Sequence, residues 1–229
     1  MKDSFLKILQ IEGRKPYFEN ILYELKNAEL NKQVIYPHQL DLFRPFEFFQ
    51  LQDTKVIILG QDPYYSNDFA DGLAFSTRQK TTPKSLNNIF KVLLNDYPNT
   101  EIQTNSLVSW AKQGILLMNV IFSVIQGQPN SHTNIGWQAF SQAVIEEIIT
   151  QNPNVILVLL GQQAQKFANK LHNIKQLNPD NIIKTSHPSP FSYQKGFHKS
   201  QLFKNINNRL KKQNQTEINW NLYKGERAW

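Results

Sequence analysis

The chain has 229 residues, 40% of them hydrophobic and 19% charged, a composition of soluble globular proteins and a length that buries a core without crosslinks. Its 25 Lys and Arg outnumber 18 Asp and Glu, and the resulting formal charge of +7 favours a polyanionic partner. Cysteine is absent, which excludes disulfides, cysteine-ligated zinc and iron–sulfur clusters.

The opening Met1-Lys2-Asp3-Ser4 turns acidic and polar too early for a secretory signal, and no apolar run is long enough to span a bilayer. A cytoplasmic protein is expected. Phe18, Ile21, Leu22 and Leu25 recur at helical spacing and predict a first helix. Tyr36-Pro37 and Arg44-Pro45 punctuate the connection that follows. Val56-Ile57-Ile58-Leu59 then predicts a buried strand, and Gly60 marks its turn into Gln61-Asp62-Pro63-Tyr64-Tyr65. Thr82-Pro83 reads as an N-cap and first-turn proline ahead of the stripe Leu86, Ile89, Phe90, Leu93 and Leu94. Residues 115–118 predict a second strand, ending at Asn119. Trp137, Phe140, Val144, Ile145, Ile148 and Ile149 predict another helix, closed before Pro153. Residues 155–160 predict a third strand, 162–171 a weaker helix and 182–183 a fourth strand, leading into Thr185-Ser186-His187. Residues 221–229 have no periodicity and no predicted element.

Strands alternating with helices imply crossover units, with helices on both faces of the sheet. The expected fold is therefore an α/β, three-layer αβα domain around a central, mostly parallel four-stranded sheet. Without an internal repeat or a Pro-, Gly- or Ser-rich linker, a single domain over 1–229 is expected. In a parallel sheet every carboxyl end lies on one rim, so Asp62, Asn119 and His187 are expected to converge there. A carboxylate, an amide and an imidazole on one rim suit hydrolysis of a polar, planar substrate. Neither a P-loop nor a dinucleotide-binding glycine pattern is present, which argues against a nucleotide-binding α/β protein.

Five motifs now carry a resemblance: Gly60-Gln61-Asp62-Pro63-Tyr64, Gly72-Leu73-Ala74-Phe75-Ser76, Leu116-Leu117-Met118-Asn119, Ser131-His132 with Gly136-Trp137, and His187-Pro188-Ser189-Pro190. In this order and spacing, from about Tyr36 to Trp220, the chain resembles the family 1 uracil-DNA glycosylases. The resemblance implies hydrolysis of the N-glycosidic bond of a flipped-out deoxyuridine, releasing uracil from single- or double-stranded DNA. It implies that Asp62 orients the attacking water and stabilises the sugar cation, and that neutral His187 donates to uracil O2. By the same resemblance Asn119 pairs with uracil N3–H and O4, Phe75 stacks on the base, Tyr64 crowds the C5 position and Gln61 contributes backbone. Ser85, Ser189 and Ser192 are expected to hold DNA phosphates, and Phe191 to wedge into the minor groove. For Lys84 and Lys195, phosphate contact and a solvated surface role both stay open.

The resemblance implies no cofactor and no metal. It points to acidic, DNA-mimicking inhibitor proteins as partners besides DNA, and to a monomer acting at the bacterial nucleoid. Three positions depart from the family pattern: Tyr65 replaces the usual motif histidine, Phe191 the usual leucine wedge, and Lys84 a loop proline. Tyr65 is therefore expected to modulate rate and pH response. It also keeps open a second reading, a DNA-binding protein on the same fold without catalysis.

Overall fold

Continuous apolar runs without polar alternation need cover on both faces, and the chain supplies it with helices. The structure, a computed structural model, describes residues 1–66 and 68–225. In chain order it contains α1 (Asp3–Glu12), α2 (Pro16–Leu30), β1 (Ile35–Tyr36), β2 (Val56–Gly60), α3 (Lys84–Asp96), α4 (Val108–Ala111) and β3 (Ile115–Asn119). These are followed by β4 (Val124–Ile125), α5 (Trp137–Gln151), β5 (Ile156–Leu160), α6 (Gln162–Ala168), β6 (Ile182–Thr185) and α7 (Leu202–Lys212).

The main sheet is wholly parallel, in the order β3-β2-β5-β6, and β1 pairs with β4 in a small antiparallel ribbon. Alternation along the strands divides the core. Ile57, Leu59, Leu116, Met118, Leu157 and Leu159 face residues of α1, α2, α5 and α6. Val56, Ile58, Ile115, Leu117, Ile156 and Val158 face residues of α3, α4 and α7. The expected three layers are thus present, and the sheet is all-parallel.

Local differences from the expected elements have physical causes. The α3 helix begins at Lys84, with Pro83 just outside it; the Thr82 hydroxyl donates to Asn105 Oδ1 at 2.9 Å and does not cap. The α6 helix stops at Ala168, and Leu171 is buried by the turns that follow. Helices α1 and α7 and the β1–β4 ribbon were not anticipated. Of the tail, Leu222 is buried and bridges Ile102, and the Glu101 N–H donates to Asn221 Oδ1 at 2.9 Å. Its last part, 226–229, lies outside the described residues. Among the described residues no helix is long and apolar enough to cross a membrane.

The layer arrangement also predicts where a ligand binds. The helix after β2 covers one face and the helix after β5 covers the other, so a crevice opens between the carboxyl ends of these adjacent strands.

Candidate active site

The loop leaving β2 starts at Gly60, paired in register with Asn119 at the end of β3. A Cβ on residue 60 would lie 2.1 Å from Asn119 Oδ1, so only glycine leaves room for that amide. The Val120 N–H donates to the Gly60 carbonyl at 3.0 Å, and the Ile121 N–H to that of Gln61 at 2.9 Å. These bonds extend the pairing of the two strands beyond their ends. Asn119 is buried, yet among the described residues its amide makes no hydrogen bond, so both its donor and acceptor are open to a ligand.

Asp62 follows two residues after Gly60. Its Oδ2 accepts the Asn130 N–H at 3.2 Å, while the Gln61 side chain donates to Asn130 Oδ1 at 2.7 Å. Asn130 itself is left-handed, with φ 63°. Burial raises the Asp62 pKa above its ordinary value, and the Asn130 N–H only partly offsets this. Asn130 is a site residue that sequence reasoning missed. Its only signal is the turn-forming run Gln128-Pro129-Asn130-Ser131, which does not announce a contact 68 residues away.

His187 sits just past β6. Gly161, at the end of β5, approaches it closely: a Cβ there would lie 2.8 Å from His187 Cβ. The Ser189 N–H donates to His187 Nδ1 at 3.0 Å. An acceptor at Nδ1 puts the ring proton on Nε2, and burial lowers the pKa, so the imidazole is neutral with one N–H to offer.

Phe75 holds a left-handed backbone, φ 65°, rare for a bulky residue. Its carbonyl accepts the Tyr64 hydroxyl at 3.0 Å, and its ring lies 5.9 Å from that of His187. Burial pushes the Tyr64 phenol far up, so it stays a donor. Gln61, Asp62, Tyr64, Phe75, Asn119 and His187 together line a cavity of about 190 Å³, with Tyr65 and Ser85 at the same site. The sheet therefore brings together all six predicted catalytic and base-binding residues. The Gln61 side chain braces Asn130.

Tyr65 lines this cavity but is 44% exposed, and its hydroxyl makes no hydrogen bond among the described residues. Its carbonyl accepts the Gly127 N–H at 2.8 Å. The phenol thus stands at the rim and is not bonded to Asp62.

An adjoining groove of about 560 Å³ runs past Gln162, His187, Ser189, Ser192 and Lys195. Ser189 turns the chain tightly, its carbonyl accepting from the N–H groups of Ser192 and Tyr193 at 3.0 and 2.9 Å. The buried amide of Asn88 on α3 holds the Pro188 carbonyl at 2.8 Å. Phe191 projects from this braced turn with 90% of its surface exposed. Lys84 opens α3 beside the cavity-lining Ser85. His132, by contrast, is buried with Nδ1 2.8 Å from Ser123 Oγ, and serves the core. Among the described residues no group of three or more His, Asp or Glu side chains could hold a metal.

Comparison with known proteins shows the family and the fold. A model of the uracil DNA glycosylase superfamily matches residues 46–211. A uracil-DNA glycosylase of Mesomycoplasma hyopneumoniae is 41% identical over 96% of this chain and 99% of its own. One from Proteus mirabilis is 41% identical over 94% of each. Among solved structures, mimivirus uracil-DNA glycosylase superposes with a TM-score of 0.87 at 26% identity, covering 97% of this chain and 87% of that one. A variant of the mimivirus protein, crystallised in complex with UGI, superposes with a TM-score of 0.86, also at 26% identity, covering 97% and 89%.

Proposed function

The chain belongs to the uracil-DNA glycosylase superfamily, and from that premise we propose how its own residues divide the reaction. The family hydrolyses the bond between uracil and deoxyribose in DNA and so begins base excision repair. Breaking that bond leaves positive charge on the sugar and the electron pair on uracil N1, delocalised to O2. Asp62 holds the attacking water and faces the sugar cation; its partly desolvated carboxylate acts in a medium where charge counts for more. His187 donates from Nε2 to O2 and spreads the leaving anion, as a neutral imidazole whose tautomer Ser189 selects.

Asn119 reads the Watson–Crick edge, Phe75 stacks on the ring and Tyr64 crowds C5. Ser85, Ser189 and Ser192 hold phosphates, with Phe191 as the wedge and Tyr65 a rim residue that tunes rate. The observation that carries this reading is the convergence of Asp62, Asn119 and His187 on one cavity of about 190 Å³.

Incubating the protein with a uracil-containing oligonucleotide and EDTA tests it. Free uracil and an abasic strand are expected from single- and double-stranded substrate alike. Binding of DNA without any uracil release would favour the reading as a non-catalytic DNA-binding protein.

Acidification is expected to lower the rate along a limb above the ordinary aspartate range. Burial raises Asp62, and a protonated carboxyl neither orients water nor faces a cation. His187, lowered by burial, stays neutral along that limb. A pH–rate profile checks this, and a limb at the free-aspartate position would remove the effect assigned to burial.

Support for one catalytic unit over 1–229 comes from a sheet that spans residues 56–185 and from Leu222 pairing back onto Ile102. The bacterial relatives and the DNA substrate support a cytoplasmic role at the nucleoid, as a monomer. Its basic charge supports an acidic inhibitor protein as a competitor for the DNA groove, and the mimivirus variant was crystallised in complex with UGI.

A further inference from the structure

The segment bearing Phe75 is gripped at both ends by residues of two consecutive 3-10 turns, Gln39–Asp41 and Arg44–Phe46. Arg44, which opens a short 3-10 turn (Arg44–Phe46), donates from Nη1 to the Asp71 main-chain carbonyl at 2.6 Å. The same nitrogen lies 2.9 Å from Asp71 Oδ2, and the two side chains are 3% and 2% exposed. Asp71 in turn accepts the Leu73 N–H at 3.2 Å and the Ser76 hydroxyl at 2.7 Å. At the other end, Arg78 makes a two-pronged pair with Asp41, both contacts at 2.6 Å. Between the two grips Gly72, at φ +92°, passes so close that a Cβ would lie 2.2 Å from the Asp41 carbonyl oxygen. The charges are reciprocal: an acid and a base on the two turns meet a base and an acid on the pocket segment.

What lies between the grips is a strained backbone. A left-handed phenylalanine persists only where its surroundings over-determine it. The Phe75 carbonyl also receives the Tyr64 hydroxyl, so the gap between these rings follows from the backbone at residue 75. A buried ion pair is a weak source of stability, since apolar residues of equal volume often serve as well. Arg44 Nε is moreover buried without a hydrogen-bond partner among the described residues. What short, two-pronged contacts do supply is placement.

We propose that Asp41 and Arg44 are positioning residues that, through Arg78 and Asp71, set the gap between Phe75 and Tyr64 and so exclude a 5-methylated pyrimidine. This rests on the assignment of Tyr64 and Phe75 to the uracil pocket.

The test compares release of uracil and of thymine from matched oligonucleotides by wild type, Asp41→Ala, Arg78→Gln, Arg44→Met and Tyr64→Ala, with melting temperatures. The Asp41–Arg78 pair is partly exposed, 16% and 52%, so its variants keep the wild-type melting temperature even where Arg44→Met does not fold. In those folded variants the thymine-to-uracil ratio of kcat/KM is expected to rise roughly tenfold, the low end of what a single methylene contributes in an apolar pocket. An unchanged ratio in folded Asp41→Ala and Arg78→Gln overturns the proposal. So does a Tyr64→Ala enzyme that still rejects thymine. If wild type releases no uracil, the functional reading itself fails; if only the grip variants discriminate like wild type, the grip alone is refuted.

Discussion

Asp62→Asn is expected to slow uracil release by roughly 10²–10⁴-fold, the range for loss of a positioned acid–base group. The same change is expected to raise the melting temperature at neutral pH. Burial raises the Asp62 pKa in the folded protein, so across the window between the unfolded and folded values the native state binds more protons. Stability therefore falls as pH rises through that window and stays lowered above it. Asparagine removes the buried charge and keeps an oxygen for the Asn130 N–H. Single-turnover kinetics and thermal melts at neutral and acidic pH check both parts, with the stability gain vanishing below the unfolded aspartate range. An unchanged rate would take Asp62 out of the chemistry. Loss of rate together with a lowered melting temperature would mean that the side chain serves the fold.

Asn119→Asp is expected to admit cytosine. Uracil offers a donor at N3 and an acceptor at O4; cytosine offers an acceptor and a donor at the corresponding places. Facing the amide, cytosine leaves buried groups unpaired at about 1–3 kcal/mol each, up to about a hundredfold in rate for each. A carboxylate accepts from the cytosine amino group and no longer donates to uracil O4. Its position stays imposed by the Gly60 backbone, which leaves this side chain its only room. Cytosine release from an oligonucleotide that wild type leaves intact is the expected result, with slower uracil release. If uracil slows and cytosine stays bound in the strand, the amide does not read the base.

Strands β2, β3 and β5 were legible because both faces of each are buried, which turns the whole run apolar; β6, at the sheet edge with Lys184 exposed, showed only as Ile182 and Ile183. The stripes of α2, α3 and α5 were legible because each helix buries one face. Helix α7 carries an equally legible stripe, Leu202, Phe203, Ile206 and Leu210 set among lysine and asparagine, which sequence reasoning passed over. The two-residue strands β1 and β4 are too short for any period to show. The start of α3 was misplaced by one residue because the Thr82 hydroxyl has a tertiary partner, Asn105, that local pattern cannot reveal.

The site divides along the same line. Asp62, Asn119 and His187 each follow directly from a strand end, so a parallel topology was enough to place them on one rim. Asn130, Arg44 and Asp71 carry no such mark. Asn130 looks like a turn residue, and Arg44 and Asp71 look like ordinary loop charges until each is seen buried against a distant partner.

Tyr65 shows how far a motif reaches. Its departure from the family pattern was visible in one residue, but the position of its phenol at the exposed rim, clear of Asp62, came only from the folded loop.

The sequence by itself determined the layers, the strand ends and the chemical types brought to the rim, because burial and period act over neighbouring residues. Tertiary structure alone decided the Asn130 contact on Asp62, the raised Asp62 pKa and the grip on Phe75. These depend on N–H groups, charges and close approaches from segments distant in the chain, whose meeting no local pattern records.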